Sequence, residues 1–211
     1  MTDFFQFLIE RRHELVTMTG QHIYLVFVST ALAVLLGVPL GLALTRRQRL
    51  AKPVIGFASV MQTVPSLALF GFLIPIPFLG IGDRTAIVAL VLYALLPILR
   101  NTYTGVLSVD AAVIEAGRGM GMTDWQRLRF IEIPLALPMI LAGVRIAVVV
   151  CVGLATIAAA IGAGGLGNFI FRGLSMVDYR LILAGAVPAA VLAIAADALL
   201  GGLEKYLVRW R

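Results

Sequence analysis

Five stretches of this chain are apolar over a length that can cross a bilayer: about residues 22–44, 54–79, 85–105, 136–161 and 181–203. The longest non-apolar segment among them, about 106–135, carries two short helical patterns. Asp110 to Arg118 is rich in helix formers with Val113 and Ile114 on one face, and Gly119 and Gly121 supply the permissive backbone that ends a helix and turns the chain. Thr123-Asp124-Trp125-Gln126 then has capping-box spacing. Pro134 and Pro138 mark the start of the fourth span, where a helix has no amide partner to lose. Two short helices around a glycine turn are predicted at one membrane surface. Docking of a soluble partner is the most economical use of such an insert, although a solvated loop would carry the same polar residues.

The chain ends are read in the same way. Glu10, Arg11, Arg12, His13 and Glu14 fall where a signal peptide would need an apolar core. Residues 1–20 are expected to form an interfacial segment, with Phe4, Phe5, Phe7, Leu8 and Leu15 at its wet–dry boundary. A transmembrane domain over 21–205 and a tail over 206–211 complete the division.

Composition supports this division. Apolar residues make up 61% of the 211 and charged ones 13%, too few to cover a soluble surface, and no segment is long enough for a separate soluble module. The fold class expected is an all-α membrane protein with five transmembrane helices. Arg46, Arg47, Arg49 and Lys52 follow the first span; Arg100, Arg118, Arg127 and Arg129 belong to the third connection; Lys205, Arg209 and Arg211 end the chain. Fewer basic residues, Arg11, Arg12, Arg84, Arg172 and Arg180, fall on the other side. The positive-inside rule puts the N-terminus outside, and the C-terminus and the long connection inside. This bias also accounts for the net charge of +6, and no basic stripe with interleaved aromatics points to nucleic acid.

Little in the chain suggests catalysis. Cys151, the single cysteine, lies within the fourth span and reads as a small apolar residue. His13 and His22 have no Cys or carboxylate cluster nearby at ligand spacing, so no metal site is expected. Gly162-Ala163-Gly164-Gly165-Leu166-Gly167 satisfies G-x-G-x-x-G but follows a spanning helix instead of a strand and has no acid about 20 residues later. The chain has no Walker-type phosphate loop, so it is expected to be no enzyme and to have no ATPase site of its own. Two charges lie inside spans, Arg145 and Asp197, near enough to the cytoplasmic boundary to snorkel, to pair, or to neutralise carboxylates of the long connection.

The long connection reads Glu115-Ala116-Gly117, three residues, Gly121, nine residues, then Ile131-Glu132-Ile133-Pro134. It resembles the signature loop of the permease subunits of type I ATP-binding-cassette importers, Glu-Ala-Ala, three residues, Gly, nine residues, Ile-x-Leu-Pro. Gly117 stands in place of the second Ala, and Ile133 in place of Leu. A closer resemblance, to the quaternary-ammonium group that serves glycine betaine, carnitine and choline, rests on three stretches. These are Gln62 to Leu69, Glu115 to Gly143 and Ile161 to Gly173, and the likeness covers most of the chain after about residue 20. Importers of methionine or sulfonates share the loop and the five-span plan.

The resemblance implies a cytoplasmic coupling helix seated in an ATPase groove. Glu115, Ala116, Gly117 and Gly121 would lie at that interface, with Met122, Thr123 and Asp124 beside them. It implies no cofactor in this chain, and ATP with magnesium in its partners. Those partners would be two ABC ATPase subunits, a second permease copy or paralogue, and an extracytoplasmic substrate-binding protein. The setting would be a bacterial or archaeal cytoplasmic membrane. A solute path needs polar groups at mid-depth. Gln62, Thr63 and Ser66 beside the helix-kinking Pro65 are the first candidates, with Tyr93, Asn101 and Thr156 weaker; interhelical hydrogen bonding would use the same groups. Gly162, Gly164, Gly165 and Gly167 are expected to make a turn at the outer mouth, for gating or binding-protein contact or as a plain turn. Trp125 and Trp210 both belong to cytoplasmic segments, so no tryptophan box can hold a quaternary ammonium within the spans. A small secondary transporter is the competing class, but such carriers show repeated halves, and no repeat is apparent.

Overall fold

A computed structural model describes residues 2–207, with side chains from Gln6 onward. A short helix, α1 (Thr2–Glu10), leads into α2 (Arg12–Arg46), 35 residues that include the first apolar window. The segment expected to lie along the interface over 1–20 is thus divided: from Arg12 onward it already belongs to the helix of the first span. No Pro falls between Arg12 and Gly20 to interrupt the helix there, and the hydroxyls of Thr17 and Thr19 donate back to the carbonyls of His13 and Leu15. Phe7, Leu8, Leu15 and Met18 pack on buried Phe169, Leu181 and Ala184, so this apolar face meets protein. Phe4 and Phe5 lie outside the described side chains, and residues 208–211 of the tail outside the described residues.

The second apolar window, 54–79, is not one helix. It contains α3 (Gln48–Thr63) and α4 (Ser66–Leu73), bent by 104° at the two residues between them. Pro65 causes the break, because its ring forces the preceding Val64 into extended backbone (φ −67°, ψ 129°) and it has no N–H to continue the ladder. At about 12 Å, α4 is too short to span alone.

The remaining windows are closer to expectation. α5 (Asp83–Leu107) matches the third, and α10 (Tyr179–Leu207) contains the fifth. Between them stand α6 (Ala111–Gly119), α7 (Asp124–Arg127), α8 (Ile133–Ala158) and α9 (Gly167–Met176). The second short helix expected before the fourth span is not separate from it. A π-helical turn, Leu128–Glu132, joins α7 to α8, and the helical path runs from Asp124 to Ile161 without a break. The Ile133 N–H reaches back to the Leu128 carbonyl, a five-residue step that widens the helix where Pro134 has no N–H to give. Every described element is helical. Among the described residues four helical stretches are long and apolar enough to cross a membrane, and the bent α3–α4 pair is the candidate for a fifth.

α2, α5 and α8 form the centre of the bundle, around buried Leu25, Leu90, Ile98, Ala147 and Cys151. Lipid gives helices no hydrophobic reason to associate, so close packing of backbones has to do it. Glycines one turn apart on α2, Gly37 and Gly41, meet Ile98 and Thr102 of α5, where an added Cβ would come within 2.9 and 2.8 Å. Gly143 of α8 lies still tighter on α5: a Cβ there would sit 2.6 Å from the Asn101 Cβ and 2.7 Å from the Pro97 carbonyl oxygen. Backbone cannot give way as a side-chain tip can. Gly143→Ala is therefore expected to destabilise the protein by about 1–3 kcal/mol, seen as a lower thermal midpoint of the purified protein in detergent. Gly153→Ala, on the same helix with nothing within 4 Å, should leave the midpoint unchanged.

Candidate functional site

The insert has the caps and the glycine turn that its sequence implies, although its second helix runs on into α8. The Asp110 carboxylate accepts from the Ala112 N–H at 2.8 Å and starts α6, and Arg118 in the last turn pairs with Glu115 at 2.7 Å on the exposed face. Gly121 then takes φ +78°, a left-handed conformation open to glycine at little cost, and its N–H donates to the Arg118 carbonyl. Both bonds of the capping box are present: the Thr123 hydroxyl accepts from the Gln126 N–H at 3.3 Å, and Gln126 Oε1 accepts from the Thr123 N–H at 2.8 Å. Two linked helix ends are satisfied within about a dozen residues, so the loop is a built object with its own shape.

Gly117 is the buried residue of α6. Its missing Cβ leaves space for Ile131 Cδ1, at 2.8 Å from where a Cβ would be, with Met122 and Arg127 beyond. The substitution of Gly for the usual Ala thus lets α6 lie close on the α7–α8 path. Arg127 is buried against Asp124, while Met120 and Trp125 stand out from the surface, 73% and 65% exposed. Ala116, Asp124 and Glu115 are also exposed. The resulting surface has an apolar centre between charged groups, suited to a complementary groove.

A residue overlooked in the sequence ties this loop to the bundle. Glu132, 2% exposed, accepts from Arg46 Nη2 through both oxygens, at 2.8 and 2.7 Å. Arg46 closes α2, so the first span is joined to the docking insert. The sequence showed Glu132 only as the variable second residue of Ile131-Glu132-Ile133-Pro134, and no local spacing links it to a residue 86 positions away.

The candidates for a solute path separate into two groups. Gln62 and Tyr93 form a reciprocal clamp at the break between α3 and α4. Pro97 deprives the Tyr93 carbonyl of its usual helical donor, and Gln62 Nε2 replaces it at 2.8 Å; the Tyr93 hydroxyl in turn donates to the carbonyl of Val64. Pro65 and Ser66 sit at the same break. Thr63, Asn101 and Thr156 instead bond to carbonyls of Val60, Pro97 and Gly153 in their own helices. Asn101 also packs where Gly143 crosses α5, which is a packing position.

The intramembrane charges meet. Arg145 of α8 and Asp197 of α10 form a two-pronged pair, with Nη2 to Oδ2 at 2.6 Å and Nε to Oδ1. Of the partners considered for them, each takes the other; the loop carboxylate Glu132 goes to Arg46.

The glycine-rich turn closes against α2. Gly162, Gly164 and Gly165 have positive φ, the Gly165 N–H donates to Gln21 Oε1 at 3.0 Å, and a Cβ on Gly167 would overlap the Thr156 carbonyl oxygen. Beside it the fully buried His22 makes a ring-nitrogen hydrogen bond to the Val152 carbonyl at 3.1 Å. Glu14 and Arg172 add an ion pair between α2 and α9. These contacts hold the turn as a wedge between α2, α8 and α9.

Comparison with known proteins gives a consistent result. Residues 33–210 match the family described as binding-protein-dependent transport system inner membrane component. The chain is 46% identical over 205 residues to the glycine betaine/carnitine/choline transport system permease protein OpuCB of Bacillus subtilis, covering 97% of this chain and 94% of that one. It is 50% identical over 201 residues to the carnitine transport permease protein OpuCB of Listeria monocytogenes, covering 95% and 91%. Its fold is similar to a chain of the MetNI methionine ABC transporter solved in inward-facing conformations, with a TM-score of 0.82 at 25% identity, covering 92% of this chain and 95% of that one.

The Arg46–Glu132 link has an asymmetric consequence. Arg46→Ala strands a buried carboxylate and is expected to cost on the order of 2–4 kcal/mol, reduced from the value for a fully buried pair because Arg46 is 42% exposed. Glu132→Gln leaves a buried group that is neutral and should cost clearly less. Thermal unfolding of both variants in one detergent checks the order.

Proposed function

The chain belongs to the family of binding-protein-dependent transport system inner membrane components, a multi-pass permease and not an enzyme, and we propose that it moves quaternary-ammonium osmoprotectants of the glycine betaine, carnitine and choline type into the cell. The names of relatives that align over nearly the whole chain support that substrate class. In this reading the chain makes five crossings, counting the bent α3–α4 pair as one, with the N-terminus outside and the basic-rich end of α2 inside together with the docking insert.

The observation that carries the mechanism is the continuity of the insert with the bundle. Two ATPase subunits would close on ATP and press on the exposed face of α6 and α7, around Glu115, Ala116, Gly121, Thr123 and Asp124; Gly117, expected at that interface, is buried behind it against Ile131, with Met122 partly buried beside it. From Asp124 the same helix runs into the membrane as α8, and Glu132 carries the load to α2 through Arg46. A push at the surface therefore becomes a tilt of spans, with no flexible joint to absorb it. The ligand-dependent contacts that bias the two states would lie in the ATPases and in an extracytoplasmic binding protein. One permease chain offers too few helices to enclose a path, so a second copy or a paralogue completes it. Gln62, Pro65, Ser66 and Tyr93 border that path at the bend of α3–α4, where clamped polar groups can pass a solute and hold the break together. The turn at Gly162–Gly167 lies at the outer mouth.

The test is uptake of labelled glycine betaine, carnitine and choline by cells without osmolyte importers of their own, supplied with this permease and its ATPase and binding protein. Gly121→Val places a β-branched residue at positive φ in the loop turn and is expected to reduce uptake of every accepted solute at least about tenfold while the protein stays in the membrane. Wild-type transport by that variant would remove the coupling role. Failure of the assembled wild-type complex to take up any of the three would move the substrate towards methionine or sulfonates.

A further inference from the structure

Arg145 and Asp197 are placed oddly for a pair that only holds helices together. Both lie within apolar helices, yet their side chains are 38% and 40% exposed, and they open onto a groove of about 390 Å³ lined otherwise by Ala142, Ile146, Val149 and Val150. That volume lies within the ~300–1,000 Å³ of small-molecule sites. Charge on a spanning helix is costly against lipid, so such a face belongs on water, solute or protein.

A third charge completes the arrangement. Glu204, two turns further along α10, approaches Arg145 Nη1 at 3.9 Å. Asp197, Gly201 and Glu204 follow each other at i, i+4 and i+7 on one face of α10. The guanidinium lies across Gly201, where a Cβ would come 3.2 Å from Nη1, so glycine makes room for an arginine shared between two carboxylates. Within a chain of net charge +6, this cluster carries one positive and two negative groups, and no other charged side chain is in ion-pair contact with it among the described residues.

We propose that Arg145, Asp197 and Glu204 form a transient solute station on the translocation path, in which the unbalanced carboxylate meets the fixed positive charge of a quaternary ammonium ion. The inference rests on the osmoprotectant reading. A cation such as choline neutralises the spare carboxylate while Arg145 remains paired with the other. A zwitterion such as glycine betaine exchanges into the cluster: its carboxylate takes the place of a carboxylate on Arg145, and its ammonium faces the carboxylate released. Opposite charges are exchanged at each stage, so binding adds no unpaired charge to the groove and stays weak enough for release. No aromatic cage is needed.

This assignment predicts that the two kinds of solute respond to different residues. Glu204→Gln leaves the Arg145–Asp197 pair intact and makes the cluster neutral, so choline uptake should fall about tenfold and glycine betaine uptake less than about twofold. Arg145→Gln leaves two carboxylates, so glycine betaine and carnitine uptake should fall about tenfold while choline uptake is kept. Both are measured in the assembled complex, with membrane levels and basal ATP hydrolysis recorded beside uptake. Equal loss of choline and glycine betaine in either variant, or wild-type uptake of all three solutes in both, would overturn the proposal and leave a helix-to-helix staple. If Arg145→Gln does not assemble, Glu204→Gln decides alone, because it removes no contact between spans shorter than 3.9 Å. No uptake of any of the three by the wild-type complex would overturn the substrate reading, and this inference with it.

Discussion

A carbonyl freed inside an apolar slab has to find a donor within the protein, because neither lipid nor water is there to supply one. Much of this structure depends on that constraint. Pro97 frees the Tyr93 carbonyl in the middle of α5, and Gln62 caps it from α3. The break at Val64–Pro65 frees the Val64 carbonyl, and the Tyr93 hydroxyl caps that. Two defects on separate helices are thus repaired by each other's side chains, and the repair sets where α3 and α4 bend against α5. At the start of α8 the gap at Pro134 is handled differently, by widening the helix through one π-turn, which leaves α7 and α8 on one continuous helical path.

Glycine supplies the complementary half of the architecture. Where helices must approach without a hydrophobic drive, Gly37, Gly41 and Gly143 bring α2, α5 and α8 into backbone contact. In the turn after α8, positive-φ glycines let the chain fold back onto Gln21 and His22. In the docking loop, Gly121 turns the chain and Gly117 lets α6 settle against Ile131. These positions are rigid, and they surround elements that an importer would need to move as bodies. Packed interfaces of this kind shift between discrete arrangements and resist continuous deformation, which suits a transporter driven from one surface.

Charge is used sparingly and at joints. Glu14–Arg172 joins α2 to α9, Arg46–Glu132 joins α2 to the docking insert, and Arg145–Asp197 joins α8 to α10. The first of these is at the outer end in the proposed topology and the second at the inner end. The third opens onto a groove within the spans and has a surplus carboxylate beside it. Position along the spans and the surplus carboxylate, more than pairing itself, separate the structural links from the proposed solute station.

The amino-acid sequence by itself determined the membrane class, the polar insert and its glycine turn, because these depend on local properties: apolar run length, capping spacing and backbone permissiveness. The family was legible for the same reason, since its signature lies in one contiguous loop. Tertiary structure alone decided that the kink expected at Pro65 is a 104° break of the window 54–79 into two helices, since that depends on where the freed carbonyls find donors. It also decided that Gln62 and Tyr93 serve each other, that Glu132 belongs to Arg46, and that Glu204 joins Arg145 and Asp197. Each is a contact between residues far apart in the chain, specified by how helices cross, and no periodicity along the sequence carries that information.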